Sequence, residues 1–521
     1  MMKKTKWLSL VLATCMSLSG LSLFSACGDK SAKVDHGDVN ANREVPSDSI
    51  TLEIQQKSSG NQVALFGAEM DPHFLSGCVG RTLVKEDGTE VVIEESEWEN
   101  VTLPKLKEMG ITYIRMMALP SWWAKEEVCY TEKAYTWDST PMKDMYLICD
   151  AAQELGIEVN LTVWLWDCKY SRYPGYDWVE GDKNWCLPDA DTGNTIMGEV
   201  IADCLKYLIE DRGYTCIKYF TPVNEPNSTF GYCYPATGVA YGAYDDMCRE
   251  LDRVFKEKGI RNKVKFSLSD SSTGDGGTWL SASAESLYVD GIADVLNTHW
   301  YNYDESFTNK KLQSPEVMTS PARYTSIAKE YNAPIVFGEY GAYSNNDDNA
   351  TRAYDLVKIA ANMWHCGASG MNYWRLQSDF WNWDRDNADA KPYFLGLWES
   401  ADGDYKCRPS YYTYSMMTRF IKNGMDIYNI EMVDDDVVAV AFRNGDKWTY
   451  LIINDSKTES KKFSFLNNTK FPMQLEKYVY EVNNAPTNNI AIPSSGSVTP
   501  NGRVLTDTIT PHSIIVYSNV K

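Results

Sequence analysis

The sequence predicts a (β/α)8 TIM barrel followed by a C-terminal antiparallel β-sandwich, an α/β architecture with an all-β appendage. Three observations carry that prediction. Eight short apolar runs are each followed by a polar loop and an amphipathic stretch. The runs are apolar throughout, as strands buried on both faces of a parallel sheet are. After Met425 the texture changes to closely spaced β-branched and aromatic runs, broken by turns such as Asn444-Gly445-Asp446 and Asn454-Asp455-Ser456.

The elements follow in chain order. Met1–Lys6 carry three lysines and no acid, Trp7 to Phe24 is mostly apolar, and Ser25 and Ala26 precede Cys27. A basic head, an apolar middle and small residues at a cleavage point form an export signal rather than a membrane span. Residues 1–26 are expected to be removed, and 27–50, polar and acidic, to form a flexible tether. The strand-like runs are Val63–Gly67, Ile111–Met117, Ile157–Trp166, Ile217–Val223, Val264–Leu268, Val295–His299, Ile335–Gly338 and Gly370–Trp374. The helix-like segments between and after them are Trp98–Met109, Met142–Leu155, Ile196–Glu210, Ala240–Lys258, Leu280–Val289, Pro321–Tyr331, Thr351–Trp364 and Tyr411–Lys422. Val200, Cys204, Leu205 and Leu208 show the helical spacing of apolar residues. Gly110, Gly156 and Gly259 stand at helix ends, where a left-handed cap is wanted. The barrel is assigned to 51–424 and the sandwich to 425–521. Its candidate strands are Val437–Phe442, Trp448–Ile453, Lys462–Leu466, Tyr478–Val482 and Ser513–Ser518. The strand-like Ser49–Gln55 is a candidate to join the sandwich, which would make the barrel an insertion. An open doubly wound sheet is disfavoured, because no Gly-rich phosphate turn follows the first strand.

Composition narrows function. The 521 residues carry a formal charge of −21, a poor match for nucleic acid. The 17 Trp, 33 Tyr and 16 Phe suggest aromatic platforms on a surface or in a cleft, with core packing as the alternative. His and Cys form no cluster of metal-ligand spacing, so no metal or cofactor is expected. Thirteen cysteines are scattered without a CxxC; they are either partly paired or buried as small hydrophobes.

Two carboxylates stand where a barrel gathers its active site, at the C-terminal ends of strands. The fourth run, Ile217–Val223, ends in Asn224-Glu225-Pro226-Asn227, and the seventh, Ile335–Gly338, ends in Glu339-Tyr340-Gly341. A charge directly after an apolar strand must reach water or be held by partners. Trp122 and Trp123, Trp164 and Trp166, and Trp381 and Trp383 follow the second, third and eighth strands, as a sugar-lined cleft would need. Glu69, Asp71 and His73 follow the first run, either to contact a sugar or to hydrogen-bond their own loop.

Over residues 60–425 these motifs resemble the clan A glycoside hydrolases, such as families five, thirty and thirty-nine. The resemblance implies that Glu225 is the acid/base and Glu339 the nucleophile. Arg115 in Ile114-Arg115-Met116 resembles the second-strand arginine that supports the nucleophile. His299 and Tyr301 resemble the sixth-strand His-x-Tyr pair, and Trp374 the eighth-strand tryptophan that floors the subsite before the cleavage point. Asn224 is expected to donate to the sugar 2-hydroxyl. The third strand departs from family five, reading Thr162-Val163-Trp164-Leu165-Trp166-Asp167 where that family has a histidine. Leu23-Phe24-Ser25-Ala26-Cys27 resembles a bacterial lipoprotein signal, in which Cys27 would be lipidated.

The expected activity is retaining hydrolysis of β-glycosidic bonds in a poly- or oligosaccharide by double displacement. An endo-β-glycanase at the cell surface leads; an exo-acting β-glycosidase and a non-catalytic glycan-binding lipoprotein are the alternatives. The partners expected are a carbohydrate and, through Cys27 alone, a membrane. Arg115 and the Tyr301 hydroxyl are expected to favour the charged form of Glu339. Glu225, with less cationic help, is expected to keep its proton until it donates it.

Overall fold

A computed structural model describes residues 41–72, 78–164, 196–228, 241–272, 274–302, 307–342, 349–378 and 395–521. The export segment, Cys27, His73, Trp166, Trp381 and Trp383 lie outside the described residues.

In chain order the strands of the first part are β1 (Ile50–Ile54), β2 (Gly67–Met70), β3 (Thr82–Val84), β4 (Glu90–Val92), β5 (Tyr113–Ala118), β6 (Glu158–Val163), β7 (Ile217–Thr221), β8 (Lys265–Ser271), β9 (Val295–Asn302), β10 (Ile335–Ala342) and β11 (Gly370–Tyr373). Eight of them close a barrel in the order β2-β5-β6-β7-β8-β9-β10-β11, parallel throughout. The expected barrel is therefore present. β3 and β4 form a separate hairpin after the first barrel strand.

The helices between the strands are those their caps specify. Thr140–Leu155 begins on Ser139, whose hydroxyl accepts from Met142 N, and ends on Gly156 at φ +70°. Ala350–Cys366 begins on Asn349, whose side chain accepts from Arg352 N, and ends on Gly367. Short polar caps satisfy the otherwise unpaired first-turn amides.

The first barrel strand starts later than expected. Val63, Leu65 and Phe66 are buried, but the backbone of this stretch bonds elsewhere: Val63 N to Met425 O and Ala64 N to Ser369 O. Leu65, in the left-handed region at φ +51°, packs with Tyr113, Tyr219, Val295 and Val336 in an apolar plug at the strand starts. A run that is apolar throughout cannot distinguish a plug from a ladder strand.

The second part contains β12 (Asp426–Asn429), β13 (Val437–Asn444), β14 (Lys447–Asn454), β15 (Lys461–Asn467), β16 (Leu475–Glu481), β17 (Gly496–Val498), β18 (Val504–Ile509) and β19 (Ser513–Ser518). One sheet runs β12-β13-β14-β19-β16-β17; the other runs β1-β15-β18. Thus β1, which precedes the barrel, pairs with β15 after it, and that pair is parallel. Trp448, Tyr450, Phe463, Phe465 and Tyr517 fill the space between the sheets.

The helix Ala350–Cys366 locks the two parts together. Trp364 lies edge-on to Phe66 at 4.9 Å and to Phe442 of β13 at 4.9 Å. On the same helix Lys358 pairs with Asp455 at 2.5 Å. Most of the eight described cysteines are buried, as small hydrophobes would be. Among the described residues no helix is long and apolar enough to cross a membrane.

Candidate active site

The chain carries Asn224-Glu225 out of β7 because Pro222 has no amide to continue the ladder. Asn224 N then bonds Val163 O at 3.0 Å and Glu225 N bonds Asp270 O at 3.1 Å, so the pair is pinned between the ends of β6 and β8. Glu225 adopts a left-handed φ of +42°. Glu339 lies within β10, just past a register break between Phe337 and Glu339. That break depends on Gly338: a Cβ there would stand 2.3 Å from Asn297 Oδ1, which accepts from Gly338 N at 2.8 Å.

These elements bring Glu225, His299 and Glu339 together. One side-chain atom of each lies within 4.8 Å of those of the other two. His299 Nδ1 is 2.8 Å from Glu225 Oε1 and 3.5 Å from Glu339 Oε2. The Tyr301 hydroxyl donates to Glu339 Oε2 at 2.6 Å, and Ser228 Oγ donates to Glu225 Oε2 at 3.0 Å.

Arg115, fully buried on β5, is the hub beneath them. Its Nη1 donates to Glu339 Oε1 at 2.9 Å and also to Glu69. Its Nη2 donates to Asn224 Oδ1 at 2.7 Å and to Asp270 Oδ2 at 2.8 Å. With Oδ1 so committed, the Asn224 amide nitrogen is left as the donor side, which suits the role expected of it. Trp164 lies over the guanidinium, 5.6 Å from ring centre to Cζ. Trp374 follows β11 half-buried, its N bonded to Tyr340 O at 3.5 Å, one residue from Glu339.

Electrostatics follow from burial. Desolvation raises Glu339 above its ordinary value, helped by the charge of Glu225, against the lowering influence of His299, Arg115 and the Tyr301 hydroxyl. Arg115 and the Tyr301 hydroxyl do favour the charged form of Glu339, as expected, but burial outweighs them. Burial alone would lower His299, yet Glu339 and Asp270 hold it up at about 10. Glu69 is pushed well above its ordinary value by burial, in spite of Arg115 and with Asp71 and Glu339 adding to the rise. Glu225 has the smaller share of cationic help, as expected: it meets His299, whereas Glu339 meets both His299 and Arg115.

Two expectations are corrected. Trp122 is only 5% exposed and belongs to the apolar core, with Trp123 wholly buried behind it. Neither offers a face to a sugar. Glu69 is not in a loop: it lies on β2, in register with Arg115, its carboxylate sealed from solvent. Asp71 is likewise spent on Arg375, at 2.7 Å.

Asp270 is the site residue that sequence reasoning missed. Its carboxylate bonds Arg115, His299 and Asn297. The signal was present, since Asp270 closes an apolar strand as Glu225 and Glu339 do, but the fifth run was ended at Leu268.

No protein-family model matches this sequence, and no curated protein does. Solved structures do resemble it. A GH30 endoxylanase from Clostridium papyrosolvens C71 shares 13% identity at a TM-score of 0.61, over 91% of this chain and 100% of its own. A GH39 β-xylosidase from Caulobacter crescentus shares 14% at a TM-score of 0.55, over 90% and 99%. A conserved exported protein from Bacteroides fragilis shares 14% at 0.60, over 90% and 100%. At such identity the likeness is one of fold, and this chain has the barrel-and-sandwich architecture of GH30 and GH39 structures.

Proposed function

We propose that this protein is a retaining glycoside hydrolase acting on β-linked poly- or oligosaccharides. The observation that carries the proposal is the approach of Glu225 and Glu339, from the fourth and seventh barrel strands, to within 4.8 Å. Retaining pairs stand about 5–5.5 Å apart and inverting pairs about 6.5–9.5 Å. The gap admits an anomeric carbon but not an additional water.

In the first step a Glu339 oxygen attacks the anomeric carbon while Glu225 gives its proton to the departing oxygen. Glu339 thereby loses its charge to a glycosyl ester, and Glu225 gains one. In the second step Glu225 takes a proton from water, the hydroxide attacks the same carbon, and Glu339 leaves as a carboxylate. Arg115 and Tyr301 orient Glu339, the Asn224 amide meets the sugar 2-hydroxyl, and Trp374, the half-buried ring, faces its C–H side.

The structural neighbours include an endoxylanase and a β-xylosidase, which supports a β-glycan substrate and puts xylan first on the panel. We favour endo action, on the long aromatic loops that follow the third, fourth and eighth barrel strands, and a lipid anchor on Cys27 at the cell surface. The test is hydrolysis of β-xylans, glucans, mannans and galactans with product sizing, and NMR of the first-formed anomer. A β product is expected; an α product first, or no turnover on any glycan, contradicts the reading.

A further inference from the structure

We propose that Asp270 is a positioning residue of this site, holding His299 as an imidazolium shared by Glu225 and Glu339 and tying it to Arg115. Its catalytic meaning rests on the glycosidase reading; its geometry does not.

The two oxygens of Asp270 are divided between the cations. Oδ2 accepts from Arg115 Nη2 at 2.8 Å, and Oδ1 lies 3.2 Å from His299 Nε2. Asn297 Nδ2 donates to Oδ1 at 2.7 Å and to Ser267 Oγ at 3.1 Å, which fixes the carboxylate's rotation. The backbone carbonyl of the same residue accepts from Glu225 N at 3.1 Å. Asp270 thus sets both the cations and the loop that carries the expected acid/base. Its backbone is bent to do so: Ser269 and Asp270 adopt φ of +84° and +44° at a register break between Ser269 and Ser271. Left-handed residues without glycine persist where surrounding structure enforces them.

The protonation of His299 follows from its partners. Nε2 faces Asp270, which Arg115 helps to keep ionised and which therefore only accepts, so Nε2 donates to it. Nδ1 donates to Glu225 Oε1 on the other side, and with both nitrogens donating the ring is cationic. Other charged or titratable groups around it are Glu339 at 3.5 Å, Tyr301 bonded to Glu339, Arg115 bonded to both Asp270 and Glu339, Glu69 behind Arg115, and Tyr113, which senses Asp270. The direction of the His299 shift, upward to about 10, agrees.

In glycosylation, negative charge leaves Glu339 and appears on Glu225. An imidazolium 3.5 Å from the first and 2.8 Å from the second is in contact with the charge before and after the transfer, and closer after. Interactions stronger in the transition state than in the ground state are those that accelerate a step. Asp270 keeps that cation in place from its Nε2 side.

The experiment labels the five histidine rings of the full chain and follows the His299 imidazole by NMR against pH, assigned by loss of the signal in His299→Gln. In the wild type the ring should stay protonated well above pH 8, beyond the ordinary histidine value of about 6.5. In Asp270→Asn its titration should move down by at least about one pH unit. The variant's kcat should fall at least about tenfold on glycans, and less on aryl glycosides whose leaving groups need no proton, with KM held within about twofold. An imidazole that titrates near the ordinary value in the wild type, or identically in both proteins, overturns the proposal. Should Asp270→Asn fail to fold, the wild-type titration decides. A wild type that hydrolyses nothing overturns the glycosidase reading instead, while the titration still decides on Asp270.

Discussion

Glu225 and Glu339, more than a hundred residues apart in sequence, meet within 4.8 Å at the C-terminal mouth of the barrel. Each arrives by a local irregularity, Glu225 by a left-handed backbone and Glu339 by a break in strand register. The two distortions face one another across a gap the size of a reacting carbon.

Removing either carboxylate should stop turnover by different routes. Glu225→Ala should cost about 10²–10⁴-fold on glycans whose leaving groups need a proton. Glu339→Ala should be inactive, and azide should restore activity with an inverted product, because a small anion fits the vacated space. Near-normal turnover by Glu339→Ala, followed by product sizing, would place the nucleophile elsewhere.

Gly338 should tolerate no side chain. An added Cβ meets Asn297 at 2.3 Å, so Asn297 or the Glu339 backbone must shift. Misplacement of a reacting group by about 1 Å costs roughly 10²-fold in rate. Gly338→Ala should therefore lose about that much kcat while its circular dichroism matches the wild type.

The acid limb of the rate profile should lie above the ordinary glutamate value of 4.5, because burial raises Glu339 and attack needs its ionised form. Activity should fall as pH drops through that raised value. A profile of kcat/KM against pH with an acid limb at or below the ordinary value would contradict the burial argument.

His299 should also make stability depend on alkali. Its folded value near 10 exceeds the ordinary 6.5, so the folded state binds a proton more tightly than the unfolded chain. That contribution is complete below about pH 6.5 and is lost as pH rises through about 10. Urea midpoints should decline between those limits, and decline less in His299→Gln.

Trp364 should matter to the whole molecule, being fully buried between Phe66 and Phe442 where barrel and sandwich join. Trp364→Ala should cost about 3–5 kcal/mol, measured by chemical unfolding.

Much of this was legible in the sequence because periodicity and caps act locally. The helix expected over Met142–Leu155 forms at Thr140–Leu155, closed by Gly156 as its position suggested. Glu225 and Glu339 were legible as charges directly after apolar strands, and Arg115, His299 and Tyr301 through the resemblance to clan A glycoside hydrolases. What escaped depended on the third dimension. Val63–Phe66 is as apolar as a strand yet stays outside the ladder, with Leu65 packed into the plug. Trp122 is as aromatic as a platform yet faces the core. Asp270 lies at a register break past Leu268, where the apolar run was taken to end.

The most direct test is covalent. A 2-deoxy-2-fluoro glycoside of whichever sugar the enzyme releases slows the second step more than the first and traps the intermediate. Digestion and mass spectrometry should then find one fluoroglycosyl group on the peptide containing Glu339, and none in Glu339→Ala. A label on another residue, or an enzyme that turns over its glycan with inversion and is never labelled, would contradict the account.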